Sequence, residues 1–179
     1  LLGSHQKIGW MICSKKWIKT MFPRREKNGP GKNYIVAKIF IETNILVYTL
    51  DKYDKGKQKT ARKTVKNIIE NDIAVISTQV LQEFYNICTV KLHLMPLRVK
   101  GYVHNYSENL EVVQNGCELI ERGIDISIIS QISFWDALLI AAAEYSKCSE
   151  IITEDLNDGQ IINGIRINNP FIIRKTNIA

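Results

Sequence analysis

The chain has 179 residues, with 24 Lys and Arg against 18 Asp and Glu, and a pI near 9.1. Residues 1–38 hold nine of the basic residues and one of the acids, so residues 39–179 hold 15 and 17, a net charge of −2. The overall basicity alone therefore does not predict nucleic-acid binding. The four cysteines form no Cys-x-x-Cys pair, which argues against zinc and favours a reduced, cytoplasmic protein. No apolar run reaches the roughly 18 residues of a membrane span, so no membrane association is expected.

Residues 1–37 form a basic N-terminal extension without a sustained hydrophobic period, interrupted by Pro23 and by Pro30 between two glycines. We expect it to be disordered or not part of the native protein, since translation can start near Val36 from a GTG codon. A basic arm that helps to hold RNA is the alternative. The folded domain is expected to span 38–173, and 174–179 to form a short tail.

Strand and helix patterns alternate along the rest of the chain, which is typical of an α/β fold. We therefore expect a three-layer α/β/α sandwich with a central, mainly parallel sheet. In chain order the patterns predict a strand at 39–41, a helix at 57–70, a strand at 73–76, a helix capped by Ser77 or Thr78, a helix opened by Pro96, a short strand at 112–113, a helix at 115–122 stopped by Gly123, a helix from Ser133 to about 147, a strand at 150–153 and an edge strand at 166–168.

Four carboxylates stand in apolar or tightly patterned surroundings: Glu42, Glu83, Asp136 and Asp155. Glu42 and Asp155 follow predicted strands, and the other two lie in early turns of predicted helices. Ligand sites in open parallel sheets form outside the carboxyl ends of the strands, so the four can converge. Several oxygen ligands together suit one or two Mg²⁺ or Mn²⁺ ions, which points to metal-assisted chemistry on phosphate.

Three of these residues also have an ordinary structural interpretation. Asp136 follows Ser133 by three positions, which is the spacing of a capping box. Glu83 can be an exposed helix position, and Asp155 can belong to a simple turn. Glu42 has no obvious structural role directly after an apolar strand, and the joint pattern favours a metal site.

Four ordered blocks of the sequence resemble the PIN-domain family, and in particular the VapC-like toxins of bacterial toxin–antitoxin pairs. The blocks are 40–48, 76–84, 134–143 and 153–171, so the resemblance covers most of the domain. One position departs from the family pattern, because Glu42 stands where the family has Asp.

The resemblance implies a metal-dependent endoribonuclease that hydrolyses RNA phosphodiester bonds by water attack, using Mg²⁺ or Mn²⁺. Glu42 and Asp136 would be the first metal ligands, and Glu83 and Asp155 would complete the acidic set. It also implies a homodimer and a small antitoxin protein as partners. The residues expected to support the site are Thr43 and Asn44, which would hold a carboxylate or a water, and Glu154 as a fifth acid.

Two alternatives remain beside the toxin. The first is a catalytically impaired PIN module that binds RNA or a protein partner, because the longer Glu42 side chain displaces its carboxylate by over 1 Å, where Mg²⁺ tolerates little error. The second is a housekeeping RNA-processing nuclease of the same fold.

A cluster of basic residues follows the first block and is expected to contact RNA phosphates, or else to be an ordinary solvated helix face. Its members are Lys52, Lys55, Lys57, Lys59, Arg62, Lys63 and Lys66. The aromatic residues near the blocks are expected in the core, and Trp135 is interpreted as a packing anchor in preference to a platform for a nucleobase. These aromatic residues are Tyr48, Phe84, Tyr85 and Phe134.

Overall fold

The computed structural model describes residues 36–172, which form a six-stranded sheet with helices on both faces. The sheet order is β3-β2-β1-β4-β6-β5, and the ladders are parallel except for the antiparallel pair of β5 and β6. The predicted α/β sandwich with a mainly parallel sheet is confirmed. The strands are β1 Lys38–Ile41, β2 Ile73–Ser77, β3 Glu111–Val113, β4 Glu150–Ile152, β5 Ile161–Ile162 and β6 Ile165–Asn168. The helices are α1 Thr43–Tyr48, α2 Lys55–Asn71, α3 Thr78–Val90, α4 Pro96–Asn109, α5 Cys117–Ser130 and α6 Phe134–Tyr145.

The central strands are buried on both faces, as helix-covered parallel sheets require. In β1, Phe40 and Ile41 are fully buried, and β4 buries Ile151 and Ile152. Helix α6 is the most apolar helix and packs on β2, β4 and β6, while α5 packs on α6. Helices α2 and α3 also pack on β2.

The predicted helix starts are confirmed by their caps. Ser77 accepts a hydrogen bond from Val80 N, and Ser133 accepts one from Asp136 N at 3.1 Å. Pro96 occupies the first turn of α4, where its missing N–H costs nothing.

The predicted stop at Gly123 is wrong, because α5 continues to Ser130 and ends at Gln131 with a left-handed φ of 53°. Gly123 is buried, and a Cβ placed on it would lie 3.3 Å from Cα and Cδ1 of Leu138. This glycine therefore permits the close approach of α5 to α6.

The edge strand was also misplaced. Strand β6 lies between β4 and β5, so the edge is formed by β5, which had not been predicted. Asn163 and Gly164 join the two strands with φ of 50° and 79°. Two left-handed residues in a two-residue loop are typical of the hairpin turn that Asn-Gly favours, so the sequence did carry this signal.

The domain boundaries can be compared with the structure only in part. Ala37 already pairs with the start of β2, because its carbonyl accepts from Ile73 N at 2.9 Å. Residues 1–35 of the extension predicted over 1–37, and the tail predicted over 174–179, lie outside the described residues. Within 36–172, no single helix is long and apolar enough to cross a membrane, and only the pair α5–α6, bent by 117°, reaches the required length and composition.

Candidate active site

Glu42 lies at the point where the chain order across the sheet reverses. The chain runs outward from β1 through β2 to β3, and then returns to place β4 on the other side of β1. Such a switch point opens a crevice at the carboxyl ends of the two strands. Glu42 directly follows β1, its N–H donates to the carbonyl of Ile152 at the end of β4, and Asp155 comes three residues later.

The two residues after Glu42 connect the predicted acids. Thr43 Oγ1 donates to Glu83 Oε2 at 2.7 Å, which ties the end of β1 to α3. Asn44 Nδ2 donates to Asp155 Oδ2 at 3.0 Å, which ties it to the loop after β4. Glu42, Glu83 and Asp155 are therefore brought together from three elements that are distant in sequence.

Asp136 approaches the same place from α6, in the first turn of that helix. Its Oδ2 accepts from Ser133 Oγ at 2.6 Å, so the predicted capping role is real and coexists with a position near the other acids. Burial raises the pKa of Asp155, and the negative charges of Glu154 and Asp136 raise it further. The name acidic site is used below for Glu42, Glu83, Asp136 and Asp155.

Glu42 is the electrostatically strained member of the acidic site. Its side chain is 4% exposed, Oε1 accepts from Asn44 N at 2.7 Å, and Oε2 is buried without a hydrogen-bond partner. The pKa of Glu42 is raised to about 8, mainly by burial and to a smaller extent by the nearby carboxylates of Asp155, Glu83 and Glu154, while the hydrogen bond from Asn44 N–H lowers it. An unpaired buried carboxylate oxygen among other acids is costly unless a cation joins it.

The donor set of the acidic site fits a hard divalent cation, since carboxylate oxygens are the ligands that Mg²⁺ and Mn²⁺ prefer. The orphaned Oε2 of Glu42 is the atom that most needs such a partner. Within residues 36–172, however, no three His, Cys, Asp or Glu side chains are arranged to hold a metal ion. Oxygens of Glu83, Asp136 and Asp155 accept hydrogen bonds from neighbouring Thr, Gln, Ser and Asn side chains.

Comparisons with known proteins agree on the family. A sequence model of the PIN domain matches residues 39–157, which is 119 of the 179 residues. The chain belongs to the PIN-domain family. A search of curated proteins returned no match.

Solved structures of toxins and toxin–antitoxin proteins share this fold at low sequence identity. Mycobacterium tuberculosis VapC20, described as a sarcin–ricin loop cleaving toxin, is 17% identical with a TM-score of 0.54, over 63% of this chain and 86% of that chain. A toxin–antitoxin complex from Klebsiella pneumoniae is 19% identical with a TM-score of 0.57, over 75% of this chain and 99% of that chain. DNA-bound VapBC from Salmonella typhimurium is 18% identical with a TM-score of 0.55, over the same two fractions of the chains.

The fifth acid considered from the sequence, Glu154, is engaged elsewhere in this PIN domain. It accepts from the Tyr48 hydroxyl and from Lys57 Nζ, the latter at 2.6 Å. The Lys57 ammonium also lies 4.5 Å from the centroid of the Tyr48 ring and 5.2 Å from that of Phe171. The hydrogen bond that Lys57 donates to Glu154 is the main cause that raises the pKa of Lys57. Glu154 is thus paired beside the acidic site, next to Asp155.

The predicted RNA-binding cluster divides into two groups. Lys57 has its partner inside the protein, Arg62 Nε donates to the Thr49 carbonyl at 2.8 Å, and Lys66 forms a helical pair with Glu70. The others are exposed along the segment before α2 and on α2 itself: Lys52, Lys55, Lys59 and Lys63.

Two side chains at the site were missed or misjudged from the sequence. Gln79 is buried and its Nε2 donates to Glu83 Oε1 at 2.9 Å, a contact that the i, i+4 spacing on α3 could have indicated. Trp135 was interpreted as a packing anchor, and this is wrong, because it is 61% exposed. Among the aromatic residues assigned to the core, Phe84 is buried as predicted while Tyr85 is 42% exposed.

Proposed function

We propose that this PIN domain is a Mg²⁺- or Mn²⁺-dependent endoribonuclease and the toxin of a toxin–antitoxin pair. The observation that carries the proposal is the buried, unpartnered Oε2 of Glu42, held among Glu83 and Asp155 at the switch point of the sheet. A site that concentrates negative charge around an orphaned oxygen is built for a cation. The neighbouring structures named as toxins and toxin–antitoxin complexes support the same class.

In this proposal Glu42 and Asp136 are the first metal ligands, with Glu83 and Asp155 completing the set. The bound ion would neutralise charge that develops on the phosphate and would lower the pKa of an attacking water. The protein's own contribution is orientation: Thr43 and Gln79 fix the two oxygens of Glu83, and Asn44 fixes Asp155. These contacts hold the carboxylates in defined directions before substrate arrives.

RNA would reach the acidic site across α2. Lys52, Lys55, Lys59 and Lys63 are exposed and can contact phosphates without reading sequence. Lys57 and Arg62 are left out of this role, since both contact groups within the domain.

The proposed partners follow from the same chemistry. A small antitoxin would place an Arg or Lys among the carboxylates, where charge-assisted hydrogen bonds replace the metal. The domain itself is proposed to pair as a homodimer, as the resemblance to VapC-like proteins suggests.

Two observations favour the second candidate, a catalytically impaired module. Glu42 replaces the family's Asp, and the described carboxylates are not arranged as a metal site. An impaired module would bind Mn²⁺ weakly and would hold RNA without cutting it.

The deciding experiment measures cleavage of single-stranded RNA with Mn²⁺ or Mg²⁺, with EDTA, and with Asp136→Asn. The matched control is Asp125→Asn, which removes an exposed aspartate from the neighbouring helix α5. We expect EDTA and Asp136→Asn to abolish cleavage and Asp125→Asn to leave it unchanged. Cleavage that persists in excess chelator would refute the metal mechanism, and RNA binding without cleavage would favour the impaired module.

A further inference from the structure

Trp135 is an exposed aromatic residue directly beside the acidic site. It is the second residue of α6, preceding Asp136, and 61% of it is exposed although residues 137–143 of the same helix are buried. Tryptophan is on average highly buried in folded proteins. Its exposure next to a set of carboxylates therefore indicates that the indole contacts a binding partner from outside the described domain.

The backbone of Trp135 belongs to the frame that holds the acids. Its carbonyl accepts a long hydrogen bond of 3.5 Å from Gln79 Nε2, and the same amide donates to Glu83 Oε1 at 2.9 Å. The Phe134 ring contacts the indole edge at a centroid distance of 5.3 Å. The backbone of Trp135 is therefore positioned relative to Glu83 by Gln79, and its indole packs against Phe134.

We propose that Trp135 is a stacking platform for an unpaired nucleobase of the RNA that the acidic site cleaves. This inference rests on the proposed ribonuclease function and specifies its substrate as single-stranded at that position. Trp135 and Asp136 are consecutive in the first turn of α6, and consecutive helical side chains point in different directions. The stacked base would therefore belong to a nucleotide that flanks the phosphate held at Asp136. Proteins that bind single strands combine basic contacts to the backbone with aromatic rings on which bases stack.

The other groups proposed to contact RNA read only phosphate. The lysines on α2 supply charge, and the acidic site supplies the cation. Phe84, the aromatic residue next to Glu83, is fully buried and cannot receive a base. Trp135 therefore supplies a base contact that these groups do not.

A protein partner is the competing occupant of the indole face. Ile128 and Ile129, at the end of α5, are 71% and 76% exposed and would be covered by such a partner as well. An apolar protein surface that brings no basic residue would remove water from the neighbouring Asp136 carboxylate, which is unfavourable without a cation. RNA that binds together with the metal avoids this penalty. An antitoxin that supplies Arg or Lys avoids it as well, but it would bind in place of the RNA, so the nucleobase remains the favoured occupant of the uninhibited protein.

The test compares Trp135→Ala and Trp135→Phe with the parent in the full chain. The matched control is Tyr145→Ala, an exposed aromatic residue near the far end of the same helix, at 73% exposure. Binding of a labelled, mixed-sequence single-stranded RNA is measured by fluorescence polarisation with Ca²⁺, which has looser coordination geometry than Mg²⁺, and the RNA is checked for integrity. We expect Trp135→Ala to raise Kd about 5- to 150-fold, Trp135→Phe to retain most of the affinity, and Tyr145→Ala to match the parent.

The outcomes separate this inference from the proposed function. Equal affinity of Trp135→Ala and the parent, with RNA cleavage intact in both, overturns the platform alone. Light scattering measures the molar mass of Trp135→Ala and Ile129→Ser. If both variants change the molar mass while the Kd for RNA stays constant, the indole is a protein contact and the inference fails. A parent protein that neither binds nor cuts single-stranded RNA overturns the ribonuclease and the platform together. Equal losses on single-stranded and duplex RNA also contradict stacking, because a paired base is not free to stack on the indole.

Discussion

The Lys57 ammonium lies 2.6 Å from Oε2 of Glu154, and this pair joins α2 to the residue next to Asp155. The pair spans 97 positions and is flanked by the rings of Tyr48 and Phe171, which contact each other edge to face at 5.4 Å. Side-chain exposures of 34% and 18% leave it partly screened. The ion pair directs Glu154 toward Lys57 and Tyr48, whereas the next residue, Asp155, accepts a hydrogen bond from Asn44 in the acidic site.

Replacing Lys57 by Met should therefore destabilise the domain more than it weakens RNA binding. We expect a loss of about 1–2 kcal/mol in the free energy of unfolding, because Glu154 loses a charge-assisted bond in a partly buried place. Lys59→Met is the matched control, as Lys59 is exposed on the same helix, and its effect should stay within about 0.5 kcal/mol. Thermal and urea unfolding measure both, and equal stability of the two variants would show that the pair contributes nothing.

The raised pKa of Glu42 predicts a pH dependence of the metal-free protein. Its pKa is 4.5 in the unfolded chain and about 8 in the fold, so between these values the native state retains a proton that the unfolded state has lost. The stability that this group contributes is thus greatest below pH 4.5 and falls as pH rises toward 8.

The measurement is Tm in EDTA between pH 5 and 8.5 for the parent and for Glu42→Gln, which cannot ionise. We expect the fall in Tm across this range to be smaller in Glu42→Gln, and Mn²⁺ to restore more stability to the parent at high pH than at low pH, because the metal needs the ionised carboxylate. If Tm falls equally with pH in the two proteins in EDTA, the raised pKa of Glu42 is contradicted.

Adding a side chain at each of two helical glycines should change the free energy of unfolding in opposite directions. A Cβ at Gly123 would lie 3.3 Å from the Leu138 backbone, whereas a Cβ at Gly101 in α4 would meet nothing within 4 Å. Gly123→Val should cost about 1–3 kcal/mol by forcing α5 away from α6. Gly101→Ala should gain about 0.5–1 kcal/mol, because Ala favours the helix. Denaturant unfolding of both variants checks the pair, and a stable Gly123→Val would mean that the two helices separate freely.

Local patterns predicted the elements whose causes are local. The caps at Ser77 and Ser133 and the buried strand at 39–41 could be identified because each depends on residues only a few positions apart. The Asn163-Gly164 turn was equally local and could have been identified. The role of Gly123 could not, because the choice between a helix stop and a close contact depends on Leu138, which lies on the next helix.

The acidic site was predictable as a set but not in its contacts. Glu42 and Asp155 each follow a predicted strand, and sites in open parallel sheets form outside the carboxyl ends of the strands, so the two could be placed at one edge. The exposure of Trp135 and the pairing of Lys57 with Glu154 depend on how α6, α2 and the loop after β4 pack, which no spacing in the sequence encodes. For this reason an expected phosphate contact is engaged in an internal ion pair, and an expected packing residue is exposed at the site.

The Glu42→Asp variant tests the position at which this chain departs from its family. Glu42 precedes α1 and its Oε1 accepts from Asn44 N, a helix-capping bond that an aspartate makes at least as readily. The cap therefore does not require the longer side chain, and Thr43 and Asn44 match the family's motif. We expect Glu42→Asp to raise metal-dependent RNA cleavage, by up to about 10²-fold, because misplacement of a reacting group by about 1 Å costs that much.

Turnover of one RNA under saturating Mn²⁺ compares the parent, Glu42→Asp and Glu42→Gln, with cell growth after induction as a second measurement. Glu42→Gln keeps the length of the side chain but removes the charge, so it should be inactive. It therefore separates the loss of a charged metal ligand from the shortening of the side chain in Glu42→Asp. Lower turnover in Glu42→Asp than in the parent would show that the site has been rebuilt around glutamate.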